Sequence, residues 1–466
     1  MNVKPNTFVA AQAWVQGAWA QDVLLTVADD GTWSQVQPQA TPAQQAGATR
    51  LNDPVLPGLV NAHSHAFQRA IAGLTERRSA NANASDDFWS WRDRMYSAAL
   101  RISPEQLEAI ATQLYTELLA GGFTQVCEFQ YLHHAPSGQA FANPAEMSLA
   151  LVRAAQHTGM GLTLLPTLYM RSGFAATDLR EDQRRFASTP EQIIRIAEEV
   201  QRYTLGNSRI NVGLALHSLR AVSPTALADM ATYAKQAALP VHIHIAEQTQ
   251  EVDDCLSHTG QRPIEWLLSH VEVDARWNLV HATHTTAAEL SDVQRSSASI
   301  VICPATEANL GDGVFDLPGY AAIGGYWSLG TDSHVTRNWS EELRLLEYSQ
   351  RLTQRKRNVS AQVWGYESTA AALFEGALHG GVQASGQALG GIAVGQRADF
   401  VAINRQAPAL LGVPDADVLD AYVFSSPAAS VAQVFVAGKS VVIDHATASR
   451  FTSVMHALWH GNPSAE

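Results

Sequence analysis

The sequence predicts an α/β fold: a (β/α)8 TIM-like barrel with a small β-sandwich domain built from both chain ends. Two observations support this fold class. In the middle of the chain, short apolar runs alternate with amphipathic stretches, which is typical of repeated βα units. Near both ends, short runs of alternating apolar and polar residues are separated by turn residues, as in antiparallel strands. We therefore expect residues 55–390 to form the barrel, and residues 1–54 and 391–466 to form the two parts of the β domain.

The terminal segments predict strands joined by tight turns. Residues 7–36 contain short alternating runs and a DDG turn, so we expect half-buried strands and a hairpin there. The runs at 398–403, 431–437 and 440–444 repeat this pattern near the other end. We interpret the two ends as halves of one β domain that a larger domain interrupts.

Eight apolar or β-branched runs predict the barrel strands. They lie at residues 55–63, 124–129, 162–169, 211–218, 240–247, 277–284, 299–306 and 326–334. Helical stretches fill the gaps between them. Two of these, Pro104 to Ala120 and Pro224 to Ala238, follow a serine and begin with proline. Serine is favoured as an N-cap and proline in the first turn, so both segments predict helices.

The segment from Glu76 to Tyr96 is polar at first and then aromatic and charged. It is longer than an ordinary βα connection. Long βα loops of barrels usually carry functional residues, so we expect this segment to contribute to a site. A surface excursion packed by its own tryptophans is the alternative.

Composition excludes several classes of partner. The chain has 31 Lys plus Arg against 44 Asp plus Glu, a net charge of −13 that repels nucleic acids and anionic membranes. Its three cysteines are odd in number and form no CxxC pair, so neither a disulfide framework nor a thiolate zinc site is expected. No apolar leader and no run of about 18 apolar residues is found. We expect a cytoplasmic protein.

Polar side chains follow several of the predicted strands. His63 and His65 come after the first, His244 lies in the fifth, and Asp332 follows the eighth. The carboxyl ends of barrel strands converge on one face, and residues two apart on a strand point the same way. Imidazole nitrogens and a carboxylate are ligands that zinc prefers, so we predict a zinc site formed by these four residues.

Two further residues are candidates for catalysis. Glu247 comes just after His244, where a carboxylate beside the metal can move protons as a general acid and base. His281, at the end of the sixth strand, can polarise the reacting group. We treat His242 and His284 as structural.

The lysine content favours one metal. The chain has only Lys4, Lys235, Lys356 and Lys439, and the fourth strand ends in ALHSLR without a lysine. Two-metal barrels of this type commonly bridge their metals through a carboxylated lysine at that position. A bridged pair is therefore not expected, and neither is Schiff-base chemistry.

The residues described so far resemble the amidohydrolase superfamily, in its mononuclear deaminase branch. The resemblance rests on PGLVNAHSH, HIHIAE, GTDSH and GGIAVGQRADFVAI and covers nearly the whole chain. It implies a metal-dependent hydrolase barrel. Within that superfamily the chain is similar to the N-formimidoyl-L-glutamate deiminase family in HSHAFQRAIAGLTE, FWSWRDRMY, EFQYLHH, HSLRAV and TEANLGDG.

This resemblance implies hydrolysis of N-formimidoyl-L-glutamate to N-formyl-L-glutamate and ammonia, a step of histidine degradation, by a zinc-activated water. Zinc ligation by His63, His65, His244 and Asp332 is implied, with Glu247, His281 and Asp332 in catalysis. Substrate binding is implied for Gln68, Arg92, Tyr131, His217 and Arg220. A homodimer with one Zn2+ per chain is expected, with Fe2+ or Mn2+ as alternative metals.

Several alternatives stay open at this point. Two arginines suit a dicarboxylate substrate because guanidinium binds carboxylate through two parallel hydrogen bonds. Arg94 can replace Arg92 in that role, and Gln68 can instead cap a turn. Another deaminase of the branch, acting on guanine, a cytosine-like base or an adenosine derivative, is the main rival. A non-catalytic barrel scaffold is the remote one.

Overall fold

The computed structural model describes residues 6–77, 88–444 and 446–460. Its strands, in chain order, are β1 (Thr7–Val15), β2 (Ala18–Val27), β3 (Trp33–Gln37), β4 (Thr49–Leu51), β5 (Val55–Pro57), β6 (Leu59–Ser64), β7 (Phe123–Gln130), β8 (Gly161–Leu168), β9 (Ile210–Val212), β10 (Leu214–Ser218), β11 (Val241–Ile245), β12 (Trp277–His281), β13 (Ser299–Ile302), β14 (Tyr326–Leu329), β15 (Phe400–Ile403), β16 (Val431–Val436) and β17 (Lys439–Val441).

Helices occupy much of the remaining chain. They are α1 (Pro42–Gln45), α2 (Phe88–Ala99), α3 (Pro104–Ala120), α4 (Glu146–Thr158), α5 (Pro190–Tyr203), α6 (Pro224–Gln236), α7 (Thr249–Thr259), α8 (Pro263–His270), α9 (Ala287–Ser296), α10 (Pro304–Leu310), α11 (Leu317–Ala322), α12 (Trp339–Gln354), α13 (Val359–Trp364), α14 (Thr369–Ser385), α15 (Val418–Ser425) and α16 (Thr447–His460). Among the residues described, no helix is both long and apolar enough to cross a lipid bilayer.

The predicted (β/α)8 barrel is confirmed. Its eight strands run parallel in the order β6, β7, β8, β10, β11, β12, β13 and β14, and β9 pairs with β8. A bridge between Ser64 and Asp332 brings the first and last strands together. Asn61 reinforces this closure, because its side chain exchanges hydrogen bonds of 2.7 and 2.9 Å with the side chain and backbone of Thr331. The residue after Thr331 is the predicted ligand Asp332.

The first predicted strand run is divided between two sheets. Val55–Pro57 pairs with β15 and β1, and only Leu59–Ser64 belongs to the barrel. Gly58 lies between them, where a Cβ atom would come within 2.3 Å of the Thr124 hydroxyl. A residue without a side chain is therefore required where the chain passes from one sheet to the other.

The small sheet contains strands from both chain ends, as predicted. Its order is β17, β16, β15, β5, β1, β2 and β3, with β4 beside β1, and most of its pairs are antiparallel. These strands form one continuous sheet with an aromatic core. In this core Phe400 stacks on Phe435 at 4.2 Å, and Phe8 packs edge-on against both rings. The domain boundaries drawn at residues 54 and 390 stay a prediction.

The two predicted helices with Ser-Pro starts are confirmed. The hydroxyls of Ser103 and Ser223 each accept a backbone N–H at 3.2 Å, from Gln106 and Ala226. Helix α3 ends at Ala120 as expected, whereas α6 ends at Gln236, two residues early. The reason is local, because Ala238 adopts a left-handed φ of 53° ahead of Pro240.

Candidate active site

Four predicted ligands meet at the carboxyl ends of the barrel strands. The Nε2 atom of His63 lies 3.1 Å from Nε2 of His65 and 3.0 Å from Nε2 of His244. The Oδ1 atom of Asp332 lies 3.4 Å from Nε2 of His63 and 3.3 Å from Nε2 of His65. Three imidazole nitrogens and one carboxylate oxygen therefore point at a common centre.

The hydrogen bonds behind these rings show which nitrogens face the centre as lone pairs. Nδ1 of His65 lies 3.0 Å from the Phe129 carbonyl, and Nδ1 of His244 lies 2.8 Å from the His217 carbonyl. A carbonyl only accepts, so each Nδ1 carries the proton and each Nε2 presents a lone pair. Such a donor set fits a divalent metal ion.

Burial favours the neutral form of the three imidazoles predicted to bind the metal. It lowers the pKa of His63, His65 and His244, because a charged ring loses its hydration in the interior. Neighbouring imidazoles lower the pKa of His63 and His244 further, whereas Asp332 opposes the effect at His65. Neutral imidazole is the form that binds metals.

The two predicted catalytic residues adjoin this cluster. Nε2 of His281 lies 3.7 Å from Oε1 of Glu247 and 3.9 Å from Oδ2 of Asp332. Burial raises the pKa of Glu247 to about 7, and the nearby His281 opposes that shift. A carboxyl group with a pKa near neutrality can both accept and return a proton, which suits a general acid and base.

Several of these residues have strained backbones. The φ angles of Ala246, His281 and Asp332 are 52°, 70° and 47°, in the left-handed region that residues with a side chain rarely adopt. Strain of this kind persists only where the surrounding structure holds it, and it is concentrated at functional sites. The strand ends are thus turned to aim side chains at the centre.

The cluster opens into a pocket lined mostly by polar and aromatic side chains. Ten predicted site residues line it, whereas His63 lies beneath them, fully buried. The lining residues are His65, Gln68, Arg92, Tyr131, His217, Arg220, His244, Glu247, His281 and Asp332.

Two arginines in the pocket have nitrogen atoms without a partner. Nε of Arg92 and Nη1 of Arg220 are buried and have no hydrogen-bond partner within the described part of the chain. Burial and the opposite charge of Glu251, 3.9 Å from Nη1, act in opposite directions on Arg220, and the net effect raises its pKa. Both groups are cations available to an incoming anion.

The structure shows that Arg92 faces the pocket and Arg94 does not. Arg92 lies over the ring of Trp89, 4.4 Å from its centre, and faces the pocket. Arg94 instead donates to the carbonyls of Thr75 and Arg77 at 2.7 and 2.8 Å, outside the pocket. Gln68 also faces the pocket, where its Nε2 atom lies 3.3 Å from the Tyr131 hydroxyl. Arg92 is therefore the better placed of the two arginines.

The segment predicted to be a long functional loop is helical in its second half. Helix α2 begins at Phe88 and runs past Tyr96 to Ala99, and its residues Phe88, Trp91, Arg92, Met95 and Tyr96 line the pocket. Residues 78–87 of the predicted loop lie outside the described residues.

Sequence reasoning missed groups that follow the third and seventh barrel strands. Tyr169 comes after β8, and its ring lies 4.2 Å from that of His217. Glu307 comes after β13, and its carboxylate lies 3.2 Å from His281. A signal existed, because these were the two barrel strands to which no site residue was assigned.

Glu251 was also missed, although it stands four residues after Glu247 in a helix. Its Oε2 atom accepts the Glu247 backbone N–H at 3.2 Å, and it is the carboxylate beside Arg220. It is buried, with 1% of its surface exposed. One carboxylate therefore supports both a predicted catalytic residue and a predicted substrate-binding residue.

Comparison with known proteins places the chain in a family. Residues 55–441 match the Amidohydrolase family. The chain is 45% identical to the formimidoylglutamate deiminase of Pseudomonas aeruginosa over 94% of its own length and 95% of the relative. It is 27% identical to a 5-methylthioadenosine/S-adenosylhomocysteine deaminase of Halobacterium salinarum, over 80% and 78% of the two chains.

A solved structure supports the same family assignment. The crystal structure of an amidohydrolase from Brucella melitensis superposes with a TM-score of 0.90 at 41% identity, covering 97% of this chain and 99% of that one. The chain belongs to the amidohydrolase family.

Proposed function

We propose that this amidohydrolase family member hydrolyses N-formimidoyl-L-glutamate to N-formyl-L-glutamate and ammonia, a step of histidine degradation. The observation that carries the proposal is the pair of arginines in a pocket whose lining also includes carboxylates and imidazoles. Buried guanidinium groups with unpaired N–H groups call for an anionic ligand. A relative that shares 45% of its residues with this chain bears the name formimidoylglutamate deiminase.

The charge distribution suits this substrate. The chain as a whole is −13, so a dicarboxylate needs local cations to bind. Arg92 and Arg220 supply them, and Trp89 lies under both guanidinium groups, 4.4 and 5.6 Å from its ring centre. Glu247 and Asp332 also line the pocket, and their carboxyl groups suit a basic nitrogen group such as a formimidoyl end.

The donor set is the one that zinc prefers, and we propose one Zn2+ per chain. His63, His65, His244 and Asp332 would hold it, with Fe2+ or Mn2+ as alternatives for the same nitrogen and oxygen donors. When bound, the ion supplies a Lewis acid that lowers the pKa of a water to about 7. Lys235, the lysine of the barrel region that precedes the fifth strand, pairs with Glu272 at 2.7 Å on the surface and supplies no bridge between two metals.

The residues of the chain then carry the reaction. Glu247 accepts a proton from the water whose oxygen adds to the formimidoyl carbon. His281 donates a hydrogen bond from Nε2 to the added oxygen, and Asp332 accepts the second water proton. Glu247 protonates the terminal nitrogen, the carbon–nitrogen bond breaks, and ammonia leaves while the carbon keeps the water oxygen as a formyl group.

The rival proposal is a deaminase acting on guanine, a cytosine-like base or an adenosine derivative. Such a pocket needs an aromatic face against which the base can stack. Trp89 does not line the pocket, and the guanidinium groups of Arg92 and Arg220 lie over its ring. Trp91 does line the pocket, but a neutral base supplies no carboxylate to Nε of Arg92 and Nη1 of Arg220, the two buried nitrogen atoms without a hydrogen-bond partner among the described residues. A non-catalytic scaffold is disfavoured because every predicted ligand is in place.

Ammonia release tests the proposal. The zinc-loaded enzyme is incubated with N-formimidoyl-L-glutamate, guanine, cytosine and adenosine in parallel. We expect turnover of N-formimidoyl-L-glutamate with equal amounts of ammonia and N-formyl-L-glutamate. A higher kcat/KM for guanine, cytosine or adenosine than for N-formimidoyl-L-glutamate would overturn the assignment.

The arginine pair gives a sharper test. Arg92→Ala and Arg220→Ala should each raise KM about 10- to 100-fold, since a hydrogen bond to a charged group contributes about 1.5–3 kcal/mol. Arg94→Ala is the matched control, because Arg94 lies outside the pocket and donates to the backbone carbonyls of Thr75 and Arg77. Equal effects of Arg92→Ala and Arg94→Ala would contradict the choice of Arg92.

We further propose that the enzyme works in the cytoplasm as a homodimer. Its three cysteines are free and buried, which agrees with a reducing compartment. Light scattering of the purified protein measures the oligomeric state directly, and a monomeric mass would exclude the dimer.

A further inference from the structure

Glu307 is a buried carboxylate that contacts His281 at the nitrogen facing away from the reacting groups. Its Oε1 atom lies 3.2 Å from Nδ1 of His281. The opposite ring nitrogen, Nε2, is the one near Glu247 and Asp332, at 3.7 and 3.9 Å. The side chains of His281 and Glu307 are 1% and 5% exposed, so water does not compete for this contact.

The backbone holds this carboxylate in place. The same Oε1 atom accepts the N–H of Cys303 at 2.8 Å. Cys303 follows β13, and Glu307 lies in the first turn of α10. Glu307 therefore connects the end of the seventh barrel strand to the histidine at the end of the sixth.

We propose that Glu307 is a positioning residue that holds a proton on Nδ1 of His281 and directs its Nε2, which carries a second proton in the proposed reaction, at the reacting atoms. The proposal rests on the proposed function, in which His281 contacts the added oxygen. A carboxylate only accepts hydrogen bonds, so Nδ1 must carry the proton when it faces Glu307. His281 also has a left-handed φ of 70°, a strained backbone conformation that persists only where surrounding contacts hold the residue in place.

The same side chains allow another interpretation. Ligand atoms of His281, Cys303 and Glu307 lie within 4.8 Å of one another, close enough to hold a metal ion. The geometry favours the hydrogen-bonded arrangement, because Oε1 of Glu307 already receives the Cys303 N–H and faces Nδ1 of His281. A second metal at this position is an outcome of the tests below.

Glu307→Gln is the first test, with Glu342→Gln as its matched control. Glu342 is also buried. It accepts a backbone N–H of α10, that of Ala305, at 2.9 Å, and the hydroxyl of Thr336 at 3.0 Å. Both variants disturb the start of α10, but only Glu307→Gln removes the carboxylate from His281. We expect kcat to fall about 10- to 100-fold in Glu307→Gln, as for other partners of active-site imidazoles, with KM and zinc content unchanged.

Two results would overturn the proposal in this experiment. One is equal losses of kcat in Glu307→Gln and Glu342→Gln, which indicates damage to α10. The other is a wild-type kcat in Glu307→Gln. A zinc analysis giving two ions per wild-type chain and one per Glu307→Gln chain would assign the cluster to a second metal instead.

Nitrogen NMR of the wild-type zinc enzyme tests the same point without a measurement of turnover. The enzyme is labelled with 15N in its histidine rings, and the His281 signals are identified by their loss in His281→Asn or by their response to a bound dicarboxylate. We expect a proton on Nδ1. An unprotonated Nδ1 overturns the proposal even if N-formimidoyl-L-glutamate proves to be the substrate, and a protonated Nδ1 supports it even if another substrate is found.

Discussion

At the scale of single residues, burial decides which groups are charged. It keeps His63, His65 and His244 neutral and able to bind a metal, and it raises the pKa of Glu247 to about 7. Arg92 and Arg220 also have a buried nitrogen atom each that lacks a hydrogen-bond partner among the described residues. The site therefore combines guanidinium cations and carboxylates in one pocket.

Glu247→Gln should lower kcat about 100- to 10,000-fold, because a neutral amide cannot accept or deliver the proton that hydrolysis requires. The amide has the same shape as the carboxyl group, so zinc content should stay at the wild-type level. Steady-state kinetics and metal analysis on the same sample measure both quantities.

Glu265→Gln serves as the control for Glu247→Gln. Glu265 lies in the first turn of α8, away from the pocket, and its replacement should leave kcat unchanged. Near-normal turnover by Glu247→Gln with a full complement of zinc would show that another group moves the proton.

At the scale of elements, the site depends on where each strand ends and on the helix packed behind it. Helix α14 lies against β6 and β14, the two strands that close the barrel. Three of its glycines face these strands, and a Cβ atom at Gly380 would come within 1.8 Å of the Trp327 carbonyl oxygen. Close packing of α14 therefore fixes the position of β14 and, three residues beyond its end, of Asp332.

Gly380→Ala should destabilise the protein by about 1–3 kcal/mol or more, although alanine is the better helix former. The added methyl group meets a backbone atom, so β14 or α14 must shift. We also expect weaker zinc binding, because Asp332 follows β14. Urea unfolding and zinc titration of the variant measure the two effects.

Gly173→Ala is the control for Gly380→Ala. A Cβ atom at Gly173 has no neighbour within 4 Å. Its replacement should change the free energy of unfolding by less than about 0.5 kcal/mol. Equal stability of the two variants would mean that α14 and β14 are not in rigid contact.

At the scale of the whole molecule, the small sheet is tied to the barrel by a buried ion pair. Arg397 donates to both carboxylate oxygens of Asp399 at 2.9 and 2.7 Å, and its Nη2 atom also donates to Gln125 of β7 at 2.8 Å. Asp399 in turn accepts the Ala437 backbone N–H at 2.8 Å. These contacts join the C-terminal part of the chain to the second barrel strand.

Arg397→Ala should lower the free energy of unfolding by about 3–5 kcal/mol, because it leaves the Asp399 carboxylate buried without its cation. The urea concentration at the midpoint of unfolding, followed by tryptophan fluorescence, measures the change. In the control Arg450→Ala, the lost pair with Glu108 is 3.5 Å long and half exposed, so the change should stay below about 1 kcal/mol. A similar midpoint for both variants would contradict a linking role for Arg397.

The barrel, the pairing of both chain ends and the four residues predicted to bind a metal follow from the amino-acid sequence alone. Periodicity and strand-end positions are local properties, and a parallel barrel brings the carboxyl ends of all its strands to one face. His63, His65, His244 and Asp332 could therefore be chosen before their distances were known. Resemblance then added Gln68, Arg92, Tyr131, His217 and Arg220, which the structure brings into the same pocket.

Which polar groups contact the site residues near the carboxyl ends of the strands depends on the tertiary structure. Glu307 and Tyr169 follow barrel strands to which the sequence assigned no site residue, and their contacts with His281 and His217 depend on side-chain directions across neighbouring strands. The choice of Arg92 over Arg94 likewise depends on how helix α2 is turned about its axis. Contacts between distant parts of a chain are set by packing, which no local pattern records.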